Sequence, residues 1–334
     1  MRLENIVALT GARLLTSPEV TIYNEVVFDA GKIKRGDIFF AKNPADIEEA
    51  VRNGAYAVIF DKPVQISDPE IAWLKVDSLD EALFRLLRFR MVEKEVEAYS
   101  CDDIAFELAM DIETNDEVVL AYGNMQELTK KLWDVPNGQK ILFTPSLVRE
   151  ELFTNIKELP HVIRHKIEII ERTLFEVSFI FRDFYYERIL LSPFFLPFLE
   201  QLLNFYATNE IAFRFKKFEH LTHFEILFTN KNFEPKEYGT SELVLIFEKD
   251  MRYFRQEIEF LFEHAPWARS IYLLPKEYDM PNCSACYHYG TKEELFSLLR
   301  EQSFHFAFIG GYTKEILFEK KIQASPRQLT FDLF

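Results

Sequence analysis

Three short constellations in this chain have residue types that can do chemistry. Cys283-Ser284-Ala285-Cys286, with His288 two residues on, sets two thiols beside an imidazole. Zinc takes about four ligands, and only three cluster here, with no second C-x-x-C. A redox pair prefers a strand-to-helix turn that lowers the pKa of its first thiol, whereas these cysteines follow Pro281-Asn282 in what reads as a loop. Metal ligands (Cys283, Cys286, His288), a redox pair and ordinary loop cysteines all stay open, with ordinary cysteines the default. His220 and His223 stand three apart, a spacing a helix would close. The following Phe224 to Phe228 reads as a strand and no acid is placed to help, so a pair of unexceptional histidines is expected. Lys32, Lys34 and Arg35 form a basic turn, Gly31-Lys32-Ile33-Lys34-Arg35-Gly36, readable as a solvated turn or as an anion contact.

The elements that must position these groups alternate. Glu25 to Phe28 is extended, and Asp37 to Ala41 is a strand. Asp46 to Asn53 is a helix ending at Gly54, and Ala55 to Phe60 is a buried strand. Ser78 to Arg90 is an amphipathic helix with Leu79, Leu83, Leu86 and Leu87 on one face, capped by Ser78 with Glu81 at its third position. This order implies a parallel sheet carrying helices. The polar stretch Met91 to Asp103 reads as a linker. Beyond it come a strand Glu117 to Ala121 running into Gly123, a helix Gln126 to Trp133 and a strand Lys140 to Thr144. Ile163 to Tyr206 is aromatic and reads as helix-rich. From Glu242 the alternation resumes: strand to Phe247, helix Arg252 to His264, strand Ser270 to Leu274, helix Lys292 to Glu301, strand His305 to Ile309.

The N-terminal text resembles the opening domain of the Mur ligases, the ATP-dependent enzymes that build peptidoglycan precursors. That family runs D-S-R, a basic step, G-D-[IL]-F-[FV]-A, a helix, then G-A-x-A-[VI]. Here the text is Asp29-Ala30-Gly31, the basic step, Gly36-Asp37-Ile38-Phe39-Phe40-Ala41, the helix, then Gly54-Ala55-Tyr56-Ala57-Val58. Val76-Asp77-Ser78-Leu79-Asp80-Glu81-Ala82-Leu83 is similar to a further element of that domain. The resemblance implies three α/β units with parallel sheets: an N-terminal domain over residues 1–95, a central domain over 96–235 and a Rossmann-like domain over 236–322, followed by an extended tail, 323–334. It makes Asp29, Lys32, Lys34 and Arg35 candidates for holding the uridine nucleotide of a UDP-linked precursor. Two departures bear on that role. D-S-R has become Asp29-Ala30-Gly31, and the glycine-rich loop after the strand is shortened to Lys42-Asn43-Pro44-Ala45.

The central domain of the family carries T-G-[TS]-N-G-K-T-T between a strand and a helix. Its amides cradle phosphate, its lysine meets the β/γ oxygens, and the hydroxyl after that lysine holds Mg²⁺. The corresponding residues here are Gly123, Asn124, Met125, Gln126, Glu127, Leu128 and Thr129. Gly123 is kept, but the second glycine is Gln126, the lysine is Glu127 and the magnesium hydroxyl is Leu128. A carboxylate in place of the lysine reverses the electrostatics where a triphosphate is most negative. No E-x-G segment, metal-bridging lysine or N-x-N-P motif is found. Glu176 stands where a metal-binding glutamate would fall, but a lone glutamate on a strand is more often structural or solvated. The ending Phe306-Ala307-Phe308-Ile309-Gly310-Gly311 is similar to the family's C-terminal domain.

Composition bounds the rest. A net charge of −15, from 54 acidic and 39 basic residues, disfavours direct nucleic-acid binding. Three cysteines are too few for a disulfide framework and fit a reducing compartment. No secretory signal is visible, and Ile189 to Leu199 is too short and too broken by Pro193 and Pro197 to span a bilayer. Taken with that composition, the family resemblance implies a cytoplasmic bacterial protein, a pseudoenzyme of the cell-wall pathway without cofactor or catalytic residues. It would bind or scaffold in peptidoglycan biosynthesis, with a Mur enzyme or a UDP-linked precursor as partner. An active peptidoglycan-precursor ligase with a remodelled site is the alternative. The C-terminal Gln328-Leu329-Thr330-Phe331-Asp332-Leu333-Phe334 also resembles a DNA sliding-clamp docking peptide, with Gln328, Leu329, Phe331 and Leu333 as its contacts, so clamp association is a third reading.

Overall fold

A computed structural model describes residues 1–160, 164–280, 283 and 285–317. The described residues divide into two compact units, one drawn from 1–106, 113–161 and 205–214, the other from 107–112, 162–204 and 215–334.

The first unit holds two sheets. In the N-terminal sheet the strands Val26–Val27, Ile38–Phe40, Ala57–Phe60 and Ala72–Lys75 run parallel in that order, and Arg13–Leu14 adds antiparallel to the last. Alternate residues of a strand face opposite sides, and both sides here are apolar. Ile38, Phe40, Ile59 and Leu74 pack with Leu83, Leu86 and Leu87 of the helix Leu79–Glu93. Phe39, Val58, Phe60 and Trp73 pack with Ile47 and Ala50 of the helix Ile47–Arg52 on the other side. Ser78 caps the long helix as expected, its hydroxyl accepting from the Glu81 amide at 3.3 Å.

The second sheet is all parallel, in the order Ile156–Glu158, Glu97–Ser100, Lys140–Phe143, Val118–Leu120. It overturns the linker reading of Met91 to Asp103. The preceding helix runs on to Glu93, and Glu97–Ser100 is an interior strand paired on both edges, with Ala98 fully buried. At its end Cys101 is buried, its thiol against the Phe143 carbonyl at 3.5 Å.

The second unit corrects the helix-rich reading of Ile163 to Tyr206. Ile167–Arg172, Val177–Phe181 and Phe184–Ile189 form an antiparallel three-stranded sheet, and only Leu196–Thr208 of that stretch is an α-helix. The C-terminal sheet has the order Glu225–Thr229, Leu243–Glu248, Phe306–Gly310, Ser270–Pro275, Cys286–Tyr289. It is parallel except for Glu225–Thr229, so it begins before residue 236. Its helices are Met251–His264 and Lys292–Glu301, capped by Asp250 and Thr291. Among the described residues no helix is long and apolar enough to cross a membrane.

Candidate functional site

The turn between Val118–Leu120 and the helix Met125–Leu132 is closed by its own side chains. Gly123 has φ +105°, a conformation that favours glycine, and lets the chain fold into the helix start. Asn124 caps that helix. Its Oδ1 accepts from the amides of Gln126 and Glu127, both at 3.1 Å, and the Glu127 carboxylate turns back to accept from the Asn124 amide at 3.0 Å. This is a complete capping box. Three amides that would otherwise point at an anion are thus taken. The carboxylate also lies over Gly123: a Cβ added there would stand 3.1 Å from the Glu127 Cβ.

The following residues face elsewhere. Leu128 is in the core, and Thr129 is buried with its hydroxyl donating to the Met125 carbonyl at 2.7 Å. Lys130 Nζ lies 6.0 Å from the centroid of the Phe28 ring, and Lys131 Nζ lies 3.0 Å from that of Tyr122. The side chains that close the turn are therefore those of Asn124 and Glu127, while Gln126 contributes its amide.

The basic turn of the N-terminal sheet is held by local bonds. Asp29 caps a short 3-10 turn, accepting from the Gly31 amide at 3.1 Å, and its carboxylate stands 4.0 Å from Lys32 Nζ in an exposed pair. Arg35 Nε donates to the Tyr56 hydroxyl at 2.6 Å. Lys34 and Lys32 extend into solvent. Asp37, within the G-D-I-F-F text, is nearly fully buried and accepts from the Lys34 amide at 2.8 Å and the Glu25 amide at 3.3 Å. That aspartate fixes the turn.

The remaining sequence candidates separate. Cys283 and Cys286 are joined to one another, and His288 Nε2 lies 3.1 Å from the Tyr278 carbonyl. With the sulfurs bonded together they form no ligand set with that imidazole, and no cluster fit to hold a metal occurs among the described residues. Glu176 precedes its strand and pairs with Arg188 at 3.1 Å. Gln328, Leu329, Phe331 and Leu333 lie outside the described residues.

No family model and no curated protein matches the chain. Solved structures do. A MurF structure from Acinetobacter baumannii aligns over 97% of this chain and 99% of its own, at 9% identity and a TM-score of 0.52. The MurF ligase from Thermotoga maritima, solved in complex with ADP, aligns over 90% and 96% at 12% identity and a TM-score of 0.49. The fold is that of a Mur ligase. The resemblance carried by residues 28–83 thus extends, as a fold, to almost the whole chain.

Within this Mur-ligase fold the second unit buries an acidic network that the sequence did not reveal. Both histidines have carboxylate partners, against expectation. His220 Nδ1 meets Asp111 Oδ1 at 2.6 Å, and His223 Nδ1 meets the two oxygens of Glu248 at 3.0 and 3.2 Å, with Glu107 4.0 Å from its Nε2. Glu248 is fully buried and also accepts from the amides of Phe224 (3.1 Å) and Asp250 (2.6 Å). Glu257 is fully buried too, and neither of its oxygens has a hydrogen-bond partner among the described residues. Burial, reinforced by the Glu248 charge, drives its pKa well above the usual carboxylate range. For His223 burial works against the charged form. The hydrogen bond and charge of Glu248, with Glu107, outweigh it and raise the pKa. The partners stand 25, 109 and 116 positions away in the chain, beyond the reach of any local motif.

Proposed function

We propose that this chain is a non-catalytic member of the Mur-ligase fold, a binding or scaffolding protein attached to peptidoglycan precursor synthesis. The observation that supports it is the capping box at Asn124 and Glu127, in the turn whose sequence corresponds to the family's phosphate loop. ATP does not fit these residues. To reach the helix start, a phosphate must displace the Glu127 carboxylate from the Asn124 amide, and no lysine of the loop points there to compensate. A carboxylate about 4 Å from one phosphate charge costs about 4 kcal/mol at an effective dielectric of 20, before the lost hydrogen bonds are counted. The exposed cations Lys32 and Lys34 and the Tyr56-braced Arg35 support a UDP-linked precursor as ligand, and a catalytically active Mur enzyme is the partner that reading implies.

Thermal unfolding with and without ligand tests this. A ligand at a hundred times its Kd stabilises by about 2.7 kcal/mol, which moves a domain of this size by several degrees. Millimolar Mg-ATP is expected to leave the midpoint unchanged, whereas a UDP-linked muropeptide raises it. A clear shift with Mg-ATP accompanied by phosphate release would establish the active-ligase reading instead.

A further inference from the structure

In the three-stranded sheet, Ile167–Arg172 pairs among the described residues with Val177–Phe181 alone. Its other edge opens onto a cavity of about 500 Å³, walled by Pro193 and Phe194 on one side and by Glu259 and Phe260 of the helix Met251–His264 on the other. The Ile167 amide points into this space, donating to Glu200 Oε1 at 2.6 Å. Because strand amides repeat every two residues, the Ile169 amide points the same way. The edge is thus held at its start by Asn204 and Glu200, and beyond them, among the described residues, the Ile169 amide is left as a donor facing the groove.

The groove continues. A second cavity, of about 600 Å³, shares Arg172, Glu263 and His264 with the first. Its walls are aromatic: Phe175 stands edge-on to Phe228 (5.3 Å) and to Phe306 (6.1 Å), Tyr238 meets Phe228 at 5.2 Å, and Trp267, 70% exposed, forms the rim. Such a recess suits one large flat or branched side chain. The trench is net acidic: Glu200, Glu259 and Glu263 line it against the single guanidinium of Arg172. Glu259 and Glu263 lie on one helix face four residues apart, a repelling spacing. Neither carboxylate has a cationic side-chain partner among the described residues.

We propose that this trench binds an extended segment of a partner polypeptide. The segment adds as a fourth strand to the 167–172 edge, seats an aromatic side chain in the ring-lined recess, and sets a lysine or arginine against Glu259 and Glu263. Main-chain bonds to the edge supply affinity, while the recess and the carboxylates supply selectivity. The bulge after Ile169 ends the pairing register and limits the added strand to a few residues.

The test uses the full chain and a fluorescent heptapeptide of alternating lysine and valine with phenylalanine at its centre, followed by anisotropy. A second peptide carries glutamate at every lysine position. The lysine peptide is expected to bind with a Kd of tens of micromolar and to slow amide exchange across residues 167–172. Glu259→Lys with Glu263→Lys, both at exposed positions, lowers its affinity at least tenfold, and Trp267→Ala lowers it several-fold. Ile169→Pro abolishes binding, with circular dichroism checking the fold. Three results each overturn the proposal: no binding of the lysine peptide, equal binding of the glutamate peptide, or binding indifferent to the charge reversal.

Discussion

Glu257 and His223 set the pH response at the level of single residues. Both hold their protons more tightly folded than unfolded, so their contribution to stability is complete below the unfolded pKa. It declines as pH rises through the folded value. For Glu257 that decline begins above its ordinary 4.5, and for His223 above 6.5. The urea midpoint is therefore expected to fall from pH 6.5 to 9. In Glu257→Gln, where the amide cannot ionise, the alkaline slope flattens and the variant gains on the parent as pH rises. Parallel profiles for the two proteins would remove Glu257 from the account. None of this was legible in the sequence. Glu257 reads as one more acid on a helix, and its burial is visible only once Met251–His264 is laid on its sheet.

Elements that the sequence identified are those whose apolar pattern is local. Ala57–Phe60, buried on both faces, and Leu79–Glu93, with its leucine stripe and serine cap, are recognisable without a partner. Elements it missed depend on neighbours. Glu97–Ser100 has polar ends and earns its place from strands on either side. Ile167–Arg172 and Phe184–Ile189 carry apolar and aromatic residues on exposed positions, which blurs the two-residue repeat that marks a half-buried strand. The turn before Met125–Leu132 stands between the two: the Asn-x-x-Glu spacing of Asn124 and Glu127 is a capping pattern visible in the text, whereas the bonds that close it show only in the structure. At this scale the capping box has a measurable weight. Asn124→Ala removes the acceptor of two helix amides and is expected to lower stability by about 1 kcal/mol. A chemical-denaturation midpoint unchanged by that substitution would show that the box does not hold the helix start.

Over the whole molecule, the Mur-ligase fold is reached at an identity of 9% to a solved structure. What the two sequences share is the alternation of apolar strands and capped helices that this fold requires, which leaves the loop chemistry unspecified. The net charge of −15 adds a general field that discourages polyanions and favours cationic partners. One small feature reports on the integrity of the body around it. Of three cysteines, two are joined, and the third, Cys101, is enclosed at the end of an interior strand, where burial and then Asp102 and Asp103 push its thiol pKa far upward. A protonated, enclosed sulfur is inert to alkylating reagents. The chain thus carries a natural clock: maleimide labelling of the native protein should proceed only as fast as the 97–143 sheet opens, and its rate against urea gives that opening free energy without a dye or a mutation. Prompt labelling in native buffer would mean that this sheet breathes freely.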